Sequence, residues 1–86
     1  MKPNDLYKGK ELGMTELEFC EHWCGELEPN QKKMMEHKVK EGSFLGVGRP
    51  IGGMRFMPLV SIGKTVNVID GAGYYQLAAF DGRRGY

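Results

Sequence analysis

The sequence predicts a small α+β protein: an N-terminal helical hairpin packed on a small antiparallel sheet of three to four strands. Two observations predict it. In the first half, Leu17, Cys20, Cys24 and Leu27 recur at helical spacing, with Phe19 and Trp23 widening the apolar stripe. From Ser43 onward the character changes to glycines and short apolar runs, with β-branched residues concentrated between Val60 and Ile69. A chain of 86 residues allows one domain with one modest core, because so short a chain buries a limited share of its surface.

Met1 to Gly13 mixes Pro3, Asn4, Gly9 and Gly13 with charged residues and reads as an arm, with Leu6, Tyr7 and Leu12 available to tack it onto the core. The two helices are expected within residues 14–42. Thr15 followed by Glu18 is the signature of a capping box, so the first helix is expected from Thr15 to Leu27. Glu28-Pro29-Asn30 interrupts it, since the residue before proline is driven out of the helical region while proline suits the first turn of the next helix. That second helix is predicted over Pro29 to Glu41, with few apolar positions (Met34, Met35, Val39) and Gly42 as its stop.

The sheet is expected over residues 43–80, with strands at Phe44 to Val47, Met54 to Ile62, Thr65 to Asp70 and Tyr74 to Phe80. Short glycine-bearing turns favour a meander. Pro58 cannot donate a ladder hydrogen bond, which predicts an edge position or a bulge for the second strand. Asp81 to Tyr86 reads as a basic, glycine-containing tail.

The formal net charge of +1 conceals a split: residues 1–42 hold seven Lys and nine Asp or Glu, and residues 43–86 hold five Lys or Arg and two Asp. The first helix, bearing Glu16, Glu18, Glu21 and Glu26 without a lysine or arginine, is expected to present an acidic surface. No stretch approaches membrane-spanning length and the N-terminal residues do not read as a signal peptide, so a cytoplasmic protein with reduced cysteines and no membrane partner is expected.

Three groupings of residues bear on function. Cys20-x3-Cys24-x12-His37-x3-Glu41 nearly reproduces zinc-finger spacing, with a glutamate in place of the second histidine. Strong helix formers flank both cysteines, so the competing reading makes them reduced core residues, and no cofactor is then required. The second grouping is Arg55, Lys64, Tyr74, Tyr75, Arg83 and Arg84 on the sheet half, where aromatic faces stack on bases and cations hold phosphates. Alternation along a strand sends only one of Tyr74 and Tyr75 outward. The third comprises Glu16, Glu21, Trp23 and Glu26 on the first helix, suited to a protein partner. An enzyme is not expected: glutamates around mid-helix cysteines disfavour a thiolate, and the glycines of Gly46 to Gly53 precede a strand, not the helix that a phosphate-cradling loop requires.

The run Met14 to Lys33, MTELEFCEHWCGELEPNQKK, followed by the glycine-rich second half, resembles the small accessory proteins encoded by T7-like bacteriophages. The likeness is one of the whole chain and transfers no site residue. It implies a non-enzymatic protein of the infected bacterial cytoplasm that binds or inhibits a host protein. The alternative is a nucleic-acid-binding protein using the basic, aromatic sheet half, and a small zinc-stabilised module is the third reading.

Overall fold

Thr15 opens the first helix with the reciprocal hydrogen bonds its sequence predicts. The Glu18 N–H donates to Thr15 Oγ1 (3.1 Å) and the Thr15 N–H donates to Glu18 Oε1 (2.9 Å), giving partners to two amides that a helix start otherwise leaves unpaired. The structure, a computed structural model, describes residues 13–77 and 79–86; the arm predicted for 1–13 lies, except for Gly13, outside the described residues. Helix α1 spans Glu16–Cys24 and stops short of the predicted Leu27, because Gly25 takes φ 79° and breaks the helical path. Leu27 is buried all the same, from the link that follows. Helix α2 spans Pro29–Glu41 as predicted and ends on Gly42 in the left-handed conformation.

Five strands follow: β1 Phe44–Pro50, β2 Met57–Ile62, β3 Thr65–Asp70, β4 Gly73–Gln76 and β5 Phe80–Gly85. All pairings are antiparallel and the order across the sheet is β4-β3-β2-β1-β5. The α+β class therefore holds, with one strand more than predicted. The expected strand Tyr74 to Phe80 is interrupted after Gln76, and the residues read as a tail, Asp81 to Tyr86, form most of β5, which returns to pair with β1 (Val47 opposite Arg84, Pro50 opposite Phe80). Nothing local marks that stretch as a strand, since Gly82 and Gly85 interrupt its pattern and its pairing partner lies far away in sequence. Pro58 is likewise on an interior strand and not an edge. It faces Val47 on one side, while the pairing of β2 with β3 begins only at Leu59 opposite Val68, and the irregularity falls on β1 between Phe44 and Gly46.

The connection from β4 to β5 forces the shape of the sheet. Four chain steps join Gln76 to Phe80 and reach at most about 14 Å. In a flat sheet the outer strands of this order would stand four spacings, about 19 Å, apart. The sheet is therefore curled so that its two edges approach. This gives it two apolar faces. Val47, Val60 and Ile69 face the helices and join Phe19, Cys20, Cys24, Leu27 and Met35 in one core cluster. Leu59 and Val68 point to the other side and are still buried (0 % and 3 % exposed), because the curl turns that face inward. Gly48 makes room for Phe80 there: a Cβ at this position would lie 2.8 Å from Leu59 Cδ1 and 3.2 Å from Phe80 Cδ1.

Helix α1 lies over β1 and β2, and α2 lies over β3. Rings tie α1 to both ends of the sheet half. Phe19 meets Phe44 (6.3 Å between centroids) and Tyr86 (5.3 Å) edge-on, and Tyr86 meets Phe44 at 5.3 Å. The Tyr86 hydroxyl donates to the Met14 carbonyl, and burial, with Glu16 and Glu18 adding a smaller effect, raises the pKa of this phenol above its ordinary value. Among the described residues no helix is long and apolar enough to cross a membrane.

Four expectations follow from this architecture. Thr15→Ala should lower stability by about 0.5–2 kcal/mol in a urea titration while Thr15→Ser stays near the parent protein. The Glu18 carboxylate, held below its usual range chiefly by the Thr15 amide hydrogen bond, adds stability that is present above the ordinary carboxylate range and lost as pH falls through its lowered value. Glu18→Gln should accordingly flatten the acid limb of the stability profile. Removal of residues 81–86, harmless for a tail, should abolish cooperative unfolding, and Gly46→Ala should be severely destabilising because its Cβ would fall 2.1 Å from the Arg84 carbonyl oxygen.

Candidate functional site

Cys20 and Cys24 sit on the buried side of α1, in the core that joins the helices to the sheet. Cys20 is fully enclosed, and its hydrogen bond with Cys24, then burial, then the charges of Glu16 and Glu21 hold its thiol protonated far above the ordinary range. A protonated, enclosed thiol is a poor nucleophile. His37 and Glu41 are elsewhere, on the solvent side of α2, where His37 Nε2 stands 3.1 Å from Glu41 Oε1 with the histidine side chain 69 % exposed. Lys38 Nζ approaches the same carboxylate at 3.1 Å, and this contact holds the Glu41 pKa below the usual carboxylate range. The structure thus does not bring the four zinc-spaced residues together, and no group of three metal-binding side chains converges among the described residues.

The six residues of the basic, aromatic set are also divided. Arg84 lies flat against the α1 side of the sheet, its guanidinium 5.0 Å from the Trp23 ring and 5.9 Å from that of Phe56. Arg55 donates to the Cys24 carbonyl at 3.4 Å, placing a cation at the C-terminal end of α1, where the helix dipole favours it. Tyr74 faces the helices, with Lys38 Nζ 5.2 Å above its ring, and its hydroxyl donates to the Met34 carbonyl at 3.5 Å. Tyr75, one residue on, points away and is 49 % exposed, as strand alternation requires. Lys64 faces solvent from the turn between β2 and β3, and Arg83 does so from β5 at the opposite edge of the strand order from Tyr75. Arg55, Arg84 and Tyr74 are thus engaged within the fold, while Lys64, Tyr75 and Arg83 face solvent.

Of the acidic helix set, Glu21 is exposed and Glu16 half-buried beside a recess of about 260 Å³ between the helices, with Leu17, Met35 and Val39. Trp23 is engaged inside the protein, packed between Phe19 (6.4 Å) and Phe56 (5.4 Å) and edge-on to His22 (5.3 Å). Glu26 stands apart from these. It borders an open groove of about 600 Å³.

Three segments build this groove. The link between α1 and α2 supplies Glu26, Leu27 and Glu28; the loop between β1 and β2 supplies Met54, Arg55 and Phe56; the turn between β3 and β4 supplies Asp70, Gly71 and Ala72. The side chains of α2 hold the link to the turn. Asn30 Nδ2 donates to the Gly71 carbonyl (3.2 Å), and Gln31 donates through Nε2 to the Ile69 carbonyl (3.0 Å) while its Oε1 accepts from the Glu28 N–H (2.9 Å). Glu28 lies so close to the turn that a Cβ on Gly71 would meet its Oε2 at 1.9 Å, so any larger residue there would have to displace the Glu28 carboxylate. Asp70 Oδ1 accepts from the Ala72 N–H at 2.6 Å, closing the turn around its own side chain.

The opposite wall differs in kind. The β1–β2 loop covers Ile51 to Phe56, later than the break expected between Val47 and Met54, because β1 continues to Pro50 with Arg49 paired to Asp81 of β5 at 2.9 Å. Phe56 anchors the loop on Trp23, whereas Met54 is 95 % exposed and Ile51 69 % exposed. Sequence reasoning missed Ile51, Met54, Glu28 and Asp70 as site residues. The legible signal was two large apolar side chains among glycines in a loop, where polar residues are usual. No family model matches the chain, and no curated protein or solved structure matches it either.

If the thiols serve packing alone, they should resist thiol reagents in the native protein and react fully once it is unfolded, and Cys20→Ala should cost on the order of 1 kcal/mol or more with chelator leaving the melting temperature unchanged. Zinc bound stoichiometrically, with unfolding on chelation, would contradict this.

Proposed function

We propose that this chain is a small non-enzymatic binding protein that docks a partner protein at the groove between the α1–α2 link, the β1–β2 loop and the β3–β4 turn. One observation carries the reading: Met54, which lines that groove, and Ile51, on the same β1–β2 loop, project two large apolar side chains into solvent. Large exposed apolar groups next to a concavity are what a protein interface covers, and a short chain with little stability to spare gains nothing by exposing them otherwise. The likeness to accessory proteins of T7-like phages makes a bacterial host protein the partner class. Arg55 and Arg84, occupied within the fold, weigh against a nucleic-acid surface on the sheet half.

The test is affinity capture from a bacterial lysate with tagged protein, with and without nuclease. Capture is expected to survive nuclease and to be lost with Ile51→Asp/Met54→Asp, whose folding is checked by circular dichroism. It should persist when Lys64 and Arg83 are both replaced by Gln. Capture that disappears with nuclease and with the Lys64/Arg83 replacement would overturn the proposal in favour of nucleic acid.

A further inference from the structure

The lining of the groove also restricts the chemistry of its occupant. We propose that the groove takes a peptide segment of the partner bearing a lysine or arginine next to a large apolar residue; the inference rests on the docking reading above. Three carboxylates, Glu26, Glu28 and Asp70, line it against one guanidinium, that of Arg55. Arg55 is turned to the Cys24 carbonyl, and among the described residues none of the three carboxylates belongs to an ion pair. The groove therefore carries an unbalanced negative charge that favours a cation and repels phosphate.

The carboxylates do not converge as a metal site would require. They come from two segments, the α1–α2 link and the end of β3, an arrangement suited to an elongated cationic side chain with several donors. Two of the three are held in place. Asp70 is fixed by the Ala72 amide, and Glu28 by its seat on Gly71 at the docked start of α2. Leu27, Phe56 and Met54 provide the apolar part of the lining. A partner that offered only charge would leave Met54 uncovered, and one that offered only apolar surface would strip water from carboxylates that belong to no ion pair among the described residues, which is costly. An apolar residue beside a basic one satisfies both walls. The groove volume of about 600 Å³ falls within the range of clefts that bind small ligands, about 300–1,000 Å³, and accommodates a few side chains and not a whole protein surface.

A random-peptide library displayed on particles and selected on the intact protein tests the inference. The chain has a single tryptophan, Trp23, whose ring packs on the groove residue Phe56, so its fluorescence reports occupancy for the selected peptides once synthesised. Selected peptides are expected to pair Lys or Arg with Leu, Ile, Met or Phe. Their affinity should fall about fivefold or more in Glu26→Lys, fall with rising salt, and fall in Met54→Ala. Enrichment of neutral or acidic peptides that bind Glu26→Lys unchanged but are lost in Met54→Asp would overturn the cationic preference and leave docking at the groove intact. Peptides indifferent to both positions, or no enrichment over an unrelated folded protein, would overturn the docking reading together with this inference.

Discussion

Phe19 is the contact on which the architecture turns. Its ring is fully enclosed and touches Trp23 on its own helix, Phe44 at the start of β1 and Tyr86 at the end of the described chain. Each such ring pair contributes about 0.5–1.5 kcal/mol beyond the area it buries, so the group matters on the scale of a small domain's whole stability. Its geometry also has a topological effect. By gripping Tyr86, α1 holds β5 against β1, and the Tyr86 hydroxyl adds a bond to the Met14 carbonyl just before the helix begins. The start of the described chain and its end are thereby joined through one aromatic cluster.

The same cluster leads to the groove. Trp23 carries the ring chain on to Phe56, and Arg84 lies across both. Phe56 fixes one end of the β1–β2 loop to α1, while Ile51 and Met54 extend beyond that anchor. The wall of the groove is in this way positioned by the core, and the apolar residues at its rim are free to meet a partner. The other wall is positioned by Asn30 and Gln31 at the start of α2, which bond the link and the β3–β4 turn into one unit. A site set between rigid neighbours loses less conformational entropy on binding than one formed from loops alone.

Charge is distributed according to the same division. Two cations that a sequence reading assigns to a ligand are used inside the fold, Arg84 on aromatic faces and Arg55 at the end of α1, and Arg49 pairs with Asp81 between β1 and β5. Guanidinium groups suit such places because they stack and donate in a plane while their aliphatic stems cover apolar surface. The carboxylates of the α1–α2 link and of Asp70 are left without such partners among the described residues, and the groove is acidic for that reason.

The sequence alone determined the local elements. The Thr15–Glu18 capping box, the break at Glu28-Pro29, the stop at Gly42 and the strand Thr65 to Asp70 each depend on residues close together in the chain, so pattern and capping chemistry suffice to place them. The alternation that sends Tyr74 inward and Tyr75 outward is legible for the same reason. The identity of β5, the curl of the sheet and the groove were decided by tertiary structure. Asp81 to Tyr86 becomes a strand only because β1 offers an edge to it and Phe19 a seat for Tyr86, and neither partner is near it in sequence. Cys20 and His37 have metal-ligand spacing along the chain but face opposite sides of the helical layer, which spacing cannot reveal. Glu26, Met54 and Asp70, which line one groove, come from three separate connections, and only the packing of α1 and α2 on the curled sheet brings those connections to one end of the molecule.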